Sequence, residues 1–242
     1  LATAQIVEIR YFKDIRFLEL KQIFKDAMEG NMTTKSFESW TYEEVENTFG
    51  LVRVANHAIL SEWLDVINVT IEPHEANNLQ ALQKLLRANI DDWNEQELEI
   101  CFIGPLFLLI DFFNPHYKPF FGRSLSAKLG SITASGVADF MLASGRQKPR
   151  QPYFCLHEYK RARGRDNDPL GQLLIAMLCA QAKNNKVEQP IYGLFVEGRF
   201  WYFVILAGKE YAVTEPFVAT RDDLETIFKL LRHLKELIER WL

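Results

Sequence analysis

Ser135-Gly136-Val137-Ala138-Asp139-Phe140-Met141-Leu142 and, after a short polar interval, Tyr153-Phe154-Cys155-Leu156-His157-Glu158-Tyr159-Lys160 decide how this chain is read. In extended conformation alternate side chains share a face, so Val137, Asp139 and Met141 project together. Phe154, Leu156, Glu158 and Lys160 do the same on the second stretch, with both charges at its C-terminal end. An unpaired charge on a strand is costly, and packing alone does not select one. Two carboxylates and one ammonium on adjacent strands balance if further positive charge is supplied, and a divalent cation is the simplest source. Oxygen ligands from Asp139 and Glu158, with a backbone carbonyl such as that of Tyr159, suit Mg²⁺ and leave positions for water. Lys160 would then orient or deprotonate such a water. A salt bridge at a sheet edge satisfies the same residues, and E-x-K by itself discriminates nothing.

The surroundings order themselves around these two strands. Upstream, Phe120–Ala127 is a third extended run, and the second strand is expected over Ser131–Leu142 and the third over Tyr153–Tyr159. Before them, Asn94 can cap a helix through Glu95, Leu98, Ile100 and Phe102 towards Phe113, interrupted near Pro105 and Asp111. After them, Asp168 as cap and Pro169 at the first position open a helix to about Asn184. This helix is apolar nearly all round, with Gln172 and Gln181 as conspicuous exceptions, so it is expected to be buried. A buried amide needs partners, and a phosphate, a metal-bound water, Glu158 or backbone would serve. Ile191–Val196 and Phe200–Leu206 read as a hairpin around Gly198, followed by a short strand at Glu210–Val213. A final helix starts at Thr220, which can form a capping box with Asp223.

Residues 1–93 read as an N-terminal α+β extension and residues 94–242 as the core with its C-terminal helix. In the extension, Ile6 to Leu20 suggests strands, while Val54–Val69 and Pro73 to Trp93 have helical period. Glu62, Glu72, Glu75, His57 and His74 are expected to be solvated. In the last helix Leu224, Ile227, Leu231, Leu234, Ile238 and Trp241 form an a/d seam. It either packs on the chain's own core or makes a homodimer contact.

Composition narrows the classes. With 242 residues, 48% hydrophobic and 25% charged, the chain has ordinary globular usage. Its net charge of −4 is not that of a polybasic nucleic-acid coat. Cys101, Cys155 and Cys179 have no disulfide or zinc spacing, which suggests buried thiols in a reducing, cytoplasmic setting. Leu1 to Gln5 carry no charged n-region or signal-type apolar stretch, and no run reaches the ~20 apolar residues of a membrane span. Walker, dinucleotide, H-E-x-x-H and C-x-x-C motifs are missing, and His157 lies on the face opposite Glu158. Between residues 146 and 165 stand seven basic residues (Arg146, Lys148, Arg150, Lys160, Arg161, Arg163, Arg165) against one acid, Glu158. Such a patch suits phosphate contacts, with a solvated flexible loop as the plain alternative.

A helix, a strand hairpin ending in Gly136-Val137-Ala138-Asp139, then Glu158-Tyr159-Lys160 and a glutamine-bearing helix resemble the PD-(D/E)XK nuclease superfamily. Within it the chain is similar to a bacterial restriction-endonuclease-like branch and, more distantly, to the nuclease domain of type I restriction motor subunits. The resemblance covers roughly Trp93 to Phe217. It implies an α/β restriction-endonuclease-like core that hydrolyses DNA with Mg²⁺, or Mn²⁺ in its place. Asp139, Glu158 and the Tyr159 carbonyl would hold the metal, Lys160 would assist the water, and Glu95 would be the acid of the first helix, with Glu99 in reserve. Arg146, Lys148, Arg161, Arg163 and Arg165 would contact nucleic acid. Ala138 replaces the name-giving proline, and Ala176 replaces the aromatic that usually follows a glutamine placed like Gln172. A protein that keeps this fold and binds nucleic acid without cutting it is the alternative.

Overall fold

The computed structural model describes residues 33–160, 168–184, 186 and 188–242. The expected strands within Ile6–Leu20, and Arg161, Arg163 and Arg165, lie outside these residues.

The first described strand, β1 (Thr33–Ser36), runs into a 3-10 turn at Phe37–Ser39. Helix α1 (Tyr42–Phe49), strand β2 (Val52–Arg53), helix α2 (Ala58–Leu64) and helix α3 (Pro73–Asn89) follow. The helix expected from Asn94 is present in three pieces: α4 (Glu95–Leu98), a π-helical turn (Glu99–Ile103) and α5 (Gly104–Ile110). Asn94 caps it as anticipated, its side chain accepting from the Glu97 N–H. The three extended runs are β3 (Lys118–Leu129), β4 (Ile132–Ser144) and β5 (Arg150–Lys160). They are longer than the apolar alternation suggests because the antiparallel ladders carry polar ends such as Lys118 and Ser144 with them. Helix α6 (Pro169–Asn184) connects β5 to β6 (Ile191–Glu197), which pairs parallel to it. Strands β7 (Phe200–Ala207), β8 (Glu210–Val213) and β9 (Phe217–Val218) and helix α7 (Asp223–Glu239) complete the order.

The protein is a mixed α/β structure built on one mixed sheet. Its main path runs β1-β4-β5-β6-β7-β8-β2, with β3 on β4 and β9 on β7. Alternation along the central strands divides the core in two. Tyr192, Leu194 and Val196 of β6 join Trp63, Phe102, Phe107 and Leu231 under α2 to α5 and α7. Ile191 and Phe195 join Phe37, Trp40, Leu173 and Met177 under the 3-10 turn, α1 and α6. Residues 33–93 belong to both cores and to the sheet, because β1 pairs with β4 and β2 with β8. The division at residue 93 therefore marks no break in the sheet.

Helix α6 is enclosed as its composition implies: every residue from Pro169 to Ala180 is buried. Asp168 fixes its start, one oxygen accepting from the Gly171 N–H (2.9 Å) and the other from the Tyr42 N–H (2.6 Å). Gly171 is required by contact with backbone, since a β-carbon there would lie 2.5 Å from the Trp40 carbonyl oxygen. Alanine normally favours a helix by ~1 kcal/mol over glycine. Here Gly171→Ala is expected to lose about 1–3 kcal/mol through overpacking, read as a lower urea midpoint. An unchanged or raised midpoint would contradict this packing.

Two sequence readings change and a third, open between two uses, is decided. Glu75 is not solvated: it is buried at the start of α3, ion-paired to Arg232 and bonded to the Glu72 N–H. The Arg232 hydrogen bond lowers its pKa below the usual carboxylate value, against the opposing effect of burial. The capping box of the last helix does not form, because Asp223 accepts from the Val218 N–H of β9 and α7 starts at Asp223. The a/d seam of α7 is consumed within the chain: Leu224, Ile227, Leu231, Leu234 and Ile238 are at most 1% exposed. Trp241, the last residue of the seam, is half-buried beyond the end of α7, so the seam serves the chain's own core, the first of its two anticipated uses. Cys101, Cys155 and Cys179 are free thiols, the last two buried. No helix among the described residues is long and apolar enough to cross a membrane.

Candidate active site

The site arises where β4 changes neighbours. One edge of β4 carries β1 at Ile132–Ser135 and β5 from Phe140 onward. Residues 136–139 lie in the gap between them. The 3-10 turn after β1 closes over Gly136, where an added β-carbon would fall 2.3 Å from the Phe37 ring. The ladder to β5 begins at Phe140 opposite His157, leaving Asp139 just outside it. The Tyr159 N–H, which a continued ladder would give to a backbone carbonyl, instead donates to Asp139 Oδ2 (2.8 Å).

The opposite edge of β4 is interrupted at the same position. The β3–β4 register runs from Lys118 opposite Ala143 to Leu129 opposite Ile132, but omits the step between Phe121–Phe140 and Arg123–Ala138. Gly122 occupies that step with φ +55°, a left-handed conformation for which glycine is the natural residue. Asp139 is thus released from regular pairing on both sides.

Glu158 and Lys160 arrive on β5, beside Asp139. Lys160 Nζ donates to Glu158 Oε1 (2.7 Å) and lies 3.9 Å from Glu95 Oε1. Glu95 is exposed, whereas Glu99, at the start of the π turn, is half-buried. Such turns recur at functional sites because they shift the side-chain register of a helix. Glu95 and Glu99 both reach the site and Glu99 is the more enclosed, whereas Glu97 between them accepts from the Asn94 N–H.

Electrostatics bind these residues into one unit. Burial, followed by the Asp139 charge, pushes Glu158 up to about 8 against the pull of Lys160. Burial likewise raises Asp139, with Glu95 and Glu38 adding to the rise and the Tyr159 N–H and Lys160 opposing it. Glu99 is pushed to about 6 by burial, Asp139 and Glu95. Burial disfavours the Lys160 ammonium, but Glu158, Glu95 and Asp139 outweigh it and the net shift is upward. Several carboxylates therefore share a single ammonium. Hard oxygen donors with unbalanced negative charge suit a cation such as Mg²⁺. Among the described residues no three His, Cys, Asp or Glu side chains are grouped closely enough to hold an ion by themselves. The donor set fits a metal held by two side chains and a carbonyl, completed by water and substrate oxygens, and does not fit a closed protein cage.

His157 is a core residue, stacked on Phe140 and bonded through Nδ1 to the Tyr159 hydroxyl (2.8 Å). Burial holds it well below the ordinary histidine value. Gln172 is 2% exposed, yet neither amide atom has a hydrogen-bond partner among the described residues, so of the alternatives considered neither the bond to Glu158 nor the bond to backbone is made. Arg146 and Lys148 lie on the turn between β4 and β5, away from the carboxylates. From Asp139 to Ser144 the strand alone covers about 16 Å at its usual rise.

Glu38 and Gly122 were not legible as members of this site. Glu38 lies on the 3-10 turn after β1, a segment whose pairing with β4 has no local signal. Gly122 had one available signal, a glycine inside an extended run, which often marks a bulge. No protein-family model matches the chain, and no curated protein matches it.

Proposed function

We propose that the protein is a metal-dependent nuclease that hydrolyses phosphodiester bonds in DNA, with a restriction-endonuclease-like core in a reducing, cytoplasmic setting. The observation that carries this reading is the convergence of Asp139, Glu158 and Lys160 at the break in β4 pairing. Glu95 of α4 and Glu99 of the π turn stand next to them.

Asp139 and Glu158, with the Tyr159 carbonyl, would hold Mg²⁺ or Mn²⁺. The bound ion lowers the pKa of a coordinated water and stabilises charge developing on the phosphoryl oxygens. The chain's own residues do the rest. The Tyr159 N–H fixes one Asp139 oxygen and leaves the other free to act as a ligand. Lys160 keeps its proton while Glu158 accepts from it. The Lys160 ammonium would orient the attacking water by donating to its oxygen, leaving the water's proton to an ionised carboxylate or to solvent. Glu99, half-protonated near pH 6, is placed to accept that proton or to bind a further water. Glu95 holds the outer side of Lys160.

Incubation with supercoiled, linear duplex and single-stranded DNA tests the reading. Cleavage that requires Mg²⁺ or Mn²⁺ and stops on chelation is expected. Retained DNA binding without cleavage under any of these conditions would select the non-catalytic alternative. Gly122→Val should lower the cleavage rate more than tenfold at a stability cost of about 1–2 kcal/mol, because the left-handed kink frees Asp139. Gly130→Ala, at φ +65° in the turn before β4, should cost similar stability and leave the rate intact. Equal rates for the two variants would remove the role given to the kink.

A further inference from the structure

Two clefts meet at the β4–β5 turn and share Gln147, Lys148 and Pro149. One, of about 1080 Å³, is lined by Lys118, Arg146, Lys148 and Arg150; the other, of about 540 Å³, by Arg123, Lys148 and Lys183. Among the described residues, no Asp or Glu lines either cleft. Glu239 accepts a hydrogen bond from Asn114 of the lining (3.1 Å) and, with Asp111, lies close enough to add to the rise that burial gives the Tyr117 hydroxyl pKa. The ion pairs among the described residues, made by Lys35, Lys160, Arg199, Arg232 and Arg240, all lie outside the clefts. None of the six cations lining the clefts has an ion pair among the described residues. In a chain of net −4, this is a concentration of uncompensated positive charge.

We propose that this double cleft binds the phosphate backbone of a nucleic-acid segment flanking the bond to be cut. It rests on the nuclease reading and extends it: the substrate is held at two places, the carboxylates and the β4–β5 turn. A membrane surface or a protein partner would call for apolar anchors beside the charge. None of the exposed large apolar side chains, such as Phe113, Phe121 or Val137, lines either cleft. Guanidinium and ammonium groups with no exposed large apolar side chain beside them match a polyphosphate contacted for affinity rather than for sequence. The strand length of about 16 Å between Asp139 and Ser144 corresponds to roughly five nucleotide steps at 3.4 Å each. Occupying both places therefore takes a substrate longer than that.

The test is anisotropy of a labelled duplex of about 20 base pairs, in chelator, over a range of salt. It compares the parent with the combined variant Arg146→Gln, Lys148→Gln, Arg150→Gln. These three residues are exposed, and thermal unfolding checks that the combined variant folds. Binding by the parent is expected, with at least tenfold weaker binding by the combined variant. The slope of log K against log salt should fall by nearly three, at about 0.9 for each phosphate no longer neutralised. Equal binding and slope for the combined variant would overturn the proposal. So would cleft-dependent binding of anionic phospholipid vesicles or polyglutamate in place of DNA. Because no metal is present, the result is separable from catalysis: failure to cleave with cleft-dependent binding would remove the nuclease reading and leave the cleft standing. If cleavage occurs, a tetranucleotide, too short to reach the turn, should be cut equally by the parent and the combined variant. Unequal rates on it would count against the two-place arrangement.

Discussion

Glu158→Gln is expected to reduce DNA cleavage by roughly a thousandfold, about 4 kcal/mol of transition-state stabilisation, while making the metal-free protein more stable. The two effects have one origin. Glu158 is buried beside Asp139 and ionises at about 8, compared with 4.5 for an ordinary glutamate. Between those pH values the folded chain retains a proton that the unfolded chain has released, so stability falls as pH rises through this window. The contribution is complete below about 4.5 and lost above about 8. Glutamine cannot ionise and removes that slope. At pH 8 the gain should be on the order of a few kcal/mol, read as a higher urea midpoint, and near pH 4.5 the two proteins should coincide. A variant that is equally active, or that loses stability at pH 8, would break the link between the strained charge and the chemistry.

Lys160→Met is the complementary case. It should cost about 10²–10⁴ in rate through loss of the group that orients the water. Its effect on stability has the opposite sign to that of Glu158→Gln. Lys160 is the ammonium that the carboxylates share, so its removal leaves buried negative charge without compensation. The midpoint should drop above pH 8, where Glu158 joins the other carboxylates in ionising, and recover towards pH 5 as they take up protons. Lys160's own titration does not produce this window: its folded pKa lies above the ordinary 10.5, and its contribution fades only as pH rises past that range. Glu158→Gln combined with Lys160→Met should be far from additive, because each substitution changes the partner's environment. Additive effects would separate the two residues into independent roles.

The sheet order around these residues was partly legible because its signals are local. Apolar alternation marked β3, β4 and β5, and Asp168-Pro169 marked the start of α6. The all-round apolar character of α6 correctly indicated a helix enclosed on every side. The Asp139, Glu158 and Lys160 constellation was legible from alternation, since charges on strand faces are conspicuous. What escaped was long-range. Nothing near Thr33–Ser36 announces pairing with Ile132–Ser135, so Glu38 could not be linked to Asp139. Glu75 looked like any helix-surface acid because its partner, Arg232, lies on the last helix. The basic residues Arg146 and Lys148 are near Glu158 along the chain, but β4 and β5 carry the turn away from it. The final helix shows a further ambiguity: a 3-4 apolar spacing describes an internal seam as well as an external one, and here the seam is buried.

The most direct test of the central claim is calorimetric titration of Mn²⁺ into the protein bound to a non-cleavable DNA oligonucleotide. The parent is compared with a variant combining Asp139→Ala and Glu158→Ala. The oligonucleotide matters because the chain supplies only part of the ligand set and phosphate oxygens would complete it. Saturable Mn²⁺ binding by the parent that the double variant lacks is the predicted result. Equal binding by both proteins, or none by the parent on DNA it demonstrably holds, would contradict the assignment of Asp139 and Glu158 as metal ligands.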